Sequence, residues 1–251
     1  MIIKNPSSAD IPKLRDVWKE AFGDTDEFLD VFFRTAFSSE RSMCISSDNK
    51  IVSALYWFDC LKGSDKIAYI YAVATAASHR SQGLCRKLMN ETHQILKNTD
   101  YAGAILVPGS KGLFDFYEKL GYKTCSCVEE YKVNANNNCV EITEINAEKY
   151  ARLRKTYLTT DAVIQEGENL RFLSAFAKFY KGEDFLLAAY KDDNTLVGTE
   201  ILGNTKHLGS IVNALNCTEG FFRTKGDTTP FSMYYPLKDT IPPSYFGLAF
   251  D

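Results

Sequence analysis

Between Tyr71 and Lys97 the chain reads YAVATAASHRSQGLCRKLMNETHQILK, and that order constrains the fold more than any other stretch. β-forming residues give way to a small-residue turn, and Arg80-Ser81-Gln82-Gly83-Leu84-Cys85 then opens a helix. Leu84, Leu88, Met89, Ile95 and Leu96 fall on one face at helical spacing, so the predicted helix is amphipathic. The first N–H groups of such a helix have no intrahelical partner, and the macrodipole adds positive potential there. A strand, a glycine loop and a helix N-terminus in that order build an anion site. Glycine at 83 lets an anion approach the backbone with no Cβ in the way. The same residues also suit an ordinary strand-to-helix turn, with Arg80, Arg86 and Lys87 as solvated charges and Cys85 as a small core residue.

A second segment, Ala102 to Tyr122, reads AGAILVPGSKGLFDFYEKLGY: a short buried strand, a Pro-Gly-Ser turn and a helix stopped by Gly121. That glycine stands where a left-handed C-terminal cap is expected, with Lys119 near the negative end of the dipole. As residues alone, Leu113, Phe116, Tyr117 and Leu120 would line the apolar face of this helix.

The two segments together resemble the GCN5-related N-acetyltransferase (GNAT) superfamily. Its motif A reads Arg/Gln-x-x-Gly-x-Gly/Ala; Arg80 and Gly83 match it, and Cys85 departs from it with a residue still small enough for close approach. Its motif B helix carries Tyr-Glu-Lys-Leu-Gly-Phe/Tyr, here Tyr117-Glu118-Lys119-Leu120-Gly121-Tyr122. The resemblance covers about residues 1 to 133. It implies an α/β GNAT fold with a mixed central sheet and acetyl-CoA as co-substrate. The pyrophosphate would lie on Arg80, Ser81, Gln82, Gly83, Leu84 and Cys85. Backbone groups near Val73 and Thr75 would pair with the pantetheine arm like an added strand, and Ser110 stands where relatives place a coenzyme-contacting side chain. Tyr117 is the implied catalytic residue, a general acid near the sulfur, in a direct transfer within a ternary complex.

Composition narrows the partners. The chain has 251 residues, 45% hydrophobic and 24% charged, which is ordinary for soluble globular protein and compatible with two domains. A net charge of −3 argues against nucleic acid as a partner, since that needs a basic face. Seven cysteines without a C-x-x-C pair, and no secretory signal in MIIKNPSSAD, predict a cytoplasmic protein. Cys125-x-Cys127 and three histidines do not complete a ligand set, so no metal is expected. The longest apolar run, Ala68 to Ala77, is about half a membrane span, so no membrane association is expected. No Gly-Lys dipeptide and no G-x-S-x-G occurs, which removes the Walker A loop and the common hydrolase elbow.

Ala135-Asn136-Asn137-Asn138 marks a boundary between residues 1–134, the expected catalytic GNAT domain with the acetyl-CoA site, and 135–251. The second part echoes the first. Val140–Ile145 and Ala147–Leu158 repeat the opening strand and helix, and the hairpin around Asp193-Asn194 repeats the one around Asp48-Asn49. It lacks both motifs, so it is expected to be a degenerate GNAT-like α/β domain. The aromatic end, Tyr245 to Phe250, is expected to dock, over the acceptor side of the first domain or into the core of the second, with the terminus at Asp251 near the site.

The proton acceptor is not legible. The strand before motif A reads IAYIYAVAT with no acid after Asp65; Asp59, Asp65, Glu129 and Glu130 are loose candidates. The leading expectation is an acetyl-CoA-dependent N-acetyltransferase acting on a small-molecule or peptide amine. A non-catalytic acyl-CoA-binding or sensing module, and a transferase using another acyl donor, stay open.

Overall fold

The computed structural model describes residues 1–250. In the first half it holds β1 (Ile2–Lys4), α1 (Ile11–Phe22), α2 (Asp26–Thr35), β2 (Ser42–Ser47), β3 (Lys50–Lys62), β4 (Asp65–Thr75), α3 (Leu84–Asn98), β5 (Gly103–Leu106), α4 (Lys111–Glu118) and β6 (Lys123–Asn134). There follow β7 (Thr143–Ile145), α5 (Ala147–Tyr157), α6 (Glu168–Leu173), β8 (Lys178–Lys181), β9 (Phe185–Asp192), β10 (Thr195–Gly203), α7 (Leu208–Ala214), β11 (Glu219–Gly226) and β12 (Thr229–Pro236). Local chemistry sets several ends. Gly23 closes α1 in the left-handed region, the Thr25 hydroxyl accepts the Phe28 N–H to open α2, and the Asn146 amide oxygen accepts the Lys149 N–H to open α5.

All twelve strands join one mixed sheet in the order β1-β2-β3-β4-β5-β12-β6-β11-β10-β9-β8-β7. From either edge the pattern is the same: antiparallel neighbours, then one parallel pair, β4–β5 on one side and β10–β11 on the other. The two central strands are exchanged. β12, from the second half, pairs with β5 (Tyr234 opposite Ile105), and β6, from the first half, pairs with β11 (Tyr131 opposite Phe222). This order corrects the repeat alignment expected from the hairpins. β10 carries the parallel pairing, so β9–β10 is the counterpart of β3–β4, not of β2–β3. The two turns look alike because Asp48, Asn49 and Asp193 all adopt positive φ, the shared demand of tight hairpin turns.

Alternation along β3 divides the first half's core. Ala54, Tyr56 and Phe58 face Leu14, Val17 and Trp18 of α1 and Leu29 and Phe32 of α2; Leu55 and Trp57 face Leu84, Leu88, Met89 and Leu96 of α3. Val163, Phe172 and Phe246 of the second half belong to the same cluster as Trp18.

The chain's end docks as expected, and it does so into both halves. Val163 N–H donates to the Tyr245 carbonyl at 2.8 Å, and the Gln165 amide donates to the Leu248 carbonyl. Tyr245 reaches a buried cluster in which Arg154 Nε and Nη2 donate to Glu200 at 2.6 and 2.8 Å, and the Tyr150 and Tyr245 hydroxyls donate at 2.7 and 3.0 Å. Gly247 crosses directly over this carboxylate: a Cβ there would lie 1.9 Å from Glu200 Oε1. Burial opposes the Arg154 charge, and the Glu200 carboxylate overcomes it and raises the guanidinium pKa. Beyond Leu248, Ala249 and Phe250 pack on the first half; Asp251 lies outside the described residues.

Candidate functional site

Strands β4 and β5 pair only from Ile67–Tyr69 to Gly103–Ile105. β4 then continues to Thr75 while β5 stops at Leu106, so the strands part and, among the described residues, no strand pairs with Val73–Thr75 on that side. β3 holds the other side through Ser53 opposite Thr75, with one extra β4 residue between the Ala74 and Tyr71 pairings. Ala72, inside that bulge, has φ +49, a conformation that costs a non-glycine residue about 1–2 kcal/mol. The bulge turns backbone groups out of the ladder at the point where the strands separate.

The loop after β4 delivers a helix terminus to this opening. Ser81 and Gly83 both have positive φ, and the space where a Gly83 Cβ would stand is open. α3 starts at Leu84 with no acid in its first turn, and Arg86 and Lys87 stand there against the dipole. Arg80 Nε donates to the Thr75 carbonyl at 3.1 Å, which ties the loop to the strand end.

A cleft of about 720 Å3 extends from the parted strands. Ala72, Val73, Leu106, Val107, Gly109 and Tyr117 line its inner end; Trp18, Phe28, Phe172, Tyr190, Thr199 and Phe250 line the remainder, so both halves contribute. Tyr117 is only 7% exposed, and its hydroxyl has no hydrogen-bond partner among the described residues. Burial, with Cys85 second, raises its pKa above the ordinary tyrosine value. Burial likewise pushes the Cys85 thiol up to about 11, so at neutral pH it is not a thiolate nucleophile. All seven cysteines are free.

Strand bulge, splayed pair and helix terminus coincide with a family match: the sequence profile of the acetyltransferase (GNAT) domain fits residues 3–125. Residues 3–125 are a GNAT domain. The fold extends further. GCN5-related N-acetyltransferases from Kribbella flavida (13% identity, TM-score 0.70) and Anabaena variabilis (13%, 0.73) each align over 94% of this chain and over 70% and 73% of their own. One from Sphaerobacter thermophilus (9%, 0.56) aligns over 96% of this chain and 97% of its own. At such identities these structures establish the GNAT fold across both halves. Among curated proteins, no sequence matches the chain.

Against this GNAT frame the residues singled out by sequence divide. Val73 lines the cleft, whereas the Thr75 hydroxyl lies 2.9 Å from Ser53 Oγ and the Thr75 carbonyl is the acceptor for Arg80 Nε. Leu84 packs its side chain into the core and offers only its N–H. Arg80, Ser81, Gln82 and Gly83 are exposed, with Gln82 Nε2 donating to the Ser78 carbonyl at 3.3 Å. Ser110 precedes α4 in extended conformation, exposed beside Gly109, and makes no side-chain cap bond.

None of the four acids offered as a base lines the cleft. Asp59 accepts from Tyr101 at 2.5 Å and pairs with Lys66 at 3.1 Å; Asp65 lies 3.8 Å from Lys62; Glu129 accepts from Tyr131 at 2.7 Å; Glu130 lies 4.0 Å from Arg223. The lining carboxylate is Asp24, whose Oδ2 accepts Trp18 Nε1–H at 2.7 Å. It stands between a helix-closing glycine and the Thr25 cap, where an acid is ordinary, so no local signal distinguishes it. Phe172, Phe176 and Phe250 were equally hidden, since they reach the cleft only through the packing of the two halves.

Proposed function

We propose that this protein is an N-acetyltransferase that moves an acetyl group from acetyl-CoA to an amine by direct attack in a ternary complex. The observation that carries the reading is the coincidence of an unpaired β4 edge with the open, acid-free start of α3. The N–H groups of the 80–85 segment suit a pyrophosphate, and the free edge at Val73–Thr75 suits an extended pantetheine arm. One coenzyme site is assigned to residues 1–134; residues 135–251 are a degenerate repeat that completes the acceptor cleft.

In the reaction the amine nitrogen attacks the thioester carbonyl, the C–S bond breaks and an amide C–N bond forms. One proton leaves nitrogen and one ends on sulfur. Backbone N–H groups at the bulge are the candidate donors to the developing oxyanion. Tyr117 carries its proton at neutral pH, and its pKa stands above that of an ordinary thiol near 8.5. Complete proton transfer from phenol to thiolate therefore runs uphill. Its role is to hydrogen-bond the departing sulfur, with the proton lost by the amine making good the balance.

A thiol-release assay with acetyl-CoA and a panel of amines tests this. Amine-dependent release of CoA with formation of the matching amide is expected. Tight acetyl-CoA binding with no turnover on any amine would instead assign a sensing module.

A further inference from the structure

The cleft has a one-sided chemistry. Ten of its lining side chains are aromatic, one is a carboxylate, and none of the described lining residues is Lys, Arg or His. The rings are continuous. Phe28 stacks on Phe176 with centroids 4.9 Å apart, Phe172 meets Phe28 at 5.8 Å and Phe250 at 5.1 Å, and Phe250 meets Tyr71 at 5.6 Å. Asp24 is held beside the Trp18 indole, and Phe176 is 39% exposed.

Three acceptor classes fit this lining badly. A polycation would bring several charges to the one carboxylate among the described lining residues and strand the others in an apolar wall. An amino acid or other anionic amine would find no cation for its carboxylate among the described lining residues. A small polar amine would leave the ring faces wet and lose the apolar contribution that such a wall can supply. What fits is one cationic nitrogen on a flat apolar body: the rings take the body by stacking and edge contact, and Asp24 with neighbouring ring faces attracts the ammonium on entry.

We infer that the acceptor is an arylalkyl monoamine, its aromatic body lying on the Phe28–Phe176–Phe172–Phe250 wall and its nitrogen guided by Asp24. This rests on the acetyltransferase reading for the fate of the amine, but not for its binding.

The test is calorimetry on the full chain, with 2-phenylethylamine, spermidine, L-lysine and the uncharged 2-phenylethanol as probes. 2-Phenylethylamine is expected to bind about tenfold or more tightly than spermidine or lysine. Phe176→Ala, at a half-exposed position that folding tolerates, is expected to weaken it about tenfold while acetyl-CoA affinity holds. Asp24→Asn keeps an acceptor for the Trp18 N–H and is expected to abolish the preference for 2-phenylethylamine over 2-phenylethanol. Equal or tighter binding of spermidine or lysine, no measurable 2-phenylethylamine binding, or an unchanged affinity in Phe176→Ala would overturn the inference. Failure of acetyl-CoA to bind while 2-phenylethylamine binds would remove the acetyltransferase reading and leave this one standing.

Discussion

The backbone N–H of Phe250 donates to the Tyr69 hydroxyl at 3.2 Å and fastens the end of the chain to the strand that opens the cleft. The same few residues serve two cores. Tyr245 and Leu248 are buried in the second half, and Ala249 and Phe250 line the cleft. Deleting Ser244–Asp251 therefore removes several fully buried side chains, each contributing about 1.5–3 kcal/mol, and a large drop in melting temperature is expected. Phe250→Ala separates the roles. It should leave the melting temperature within a few degrees of wild type and raise the acceptor KM severalfold. An unchanged KM in a folded Phe250→Ala protein would remove the tail from the acceptor pocket.

The Glu200 carboxylate accepts four side-chain hydrogen bonds in a fully buried setting. Glu200→Gln leaves the Arg154 charge buried without its counterion, which costs about 3–5 kcal/mol. Urea unfolding should show that loss, with acetyl-CoA affinity retained in the folded fraction. A midpoint equal to that of wild type would mean that water replaces the carboxylate at Arg154.

His93 introduces a pH dependence. Its ring stacks on Tyr235 at 4.0 Å, its Nε2 lies 2.8 Å from the Tyr122 hydroxyl, and burial lowers its pKa from 6.5 to about 4. The unfolded chain thus binds a proton that the folded one refuses between those values. The stability that depends on neutral His93 is complete above pH 6.5 and is lost as pH falls toward 4, by at most about 3 kcal/mol. His93→Gln should flatten the stability profile across that window, measured by urea titration at successive pH values. An identical slope in wild type and variant would place the proton uptake elsewhere.

Tyr117→Phe deletes one hydroxyl from the inner end of the cleft. Turnover should fall between about 10- and 1000-fold, with acetyl-CoA affinity unchanged. The residual rate should rise with acyl donors whose thiol is a better leaving group. If turnover on a good acceptor stays at the wild-type level, Tyr117 is a packing residue.

Much of the first half was legible because its signals are local. The helical spacing from Leu84 to Leu96, the Gly121 stop and the short apolar strand after Ala102 each follow from neighbours in sequence, and α3, β5 and α4 all form where expected. What stayed hidden depends on distant pairing. Nothing in Thr229–Pro236 says that it will enter the sheet between β5 and β6, since register across more than a hundred residues leaves no local trace. The similar Asp-Asn turns even misdirected the repeat alignment, because turn chemistry reports local dihedral angles and not position in a sheet. Asp24 and the aromatic wall were missed for the same reason: each of those residues has an ordinary local explanation, and only packing brings them to one cleft.

The most direct measurement is acetyl-CoA calorimetry on wild type and Gly83→Glu. Position 83 opens on free space at the start of α3, so glutamate fits sterically, at a modest backbone cost from its positive φ, and sets a negative charge where the pyrophosphate belongs. Wild type should bind one acetyl-CoA per chain, and the folded variant should lose at least about a hundredfold in affinity, while Gly83→Ala, with the same strain but no charge, loses far less. Undiminished binding in Gly83→Glu, or two equivalent sites per chain, would contradict a single coenzyme site at the start of α3.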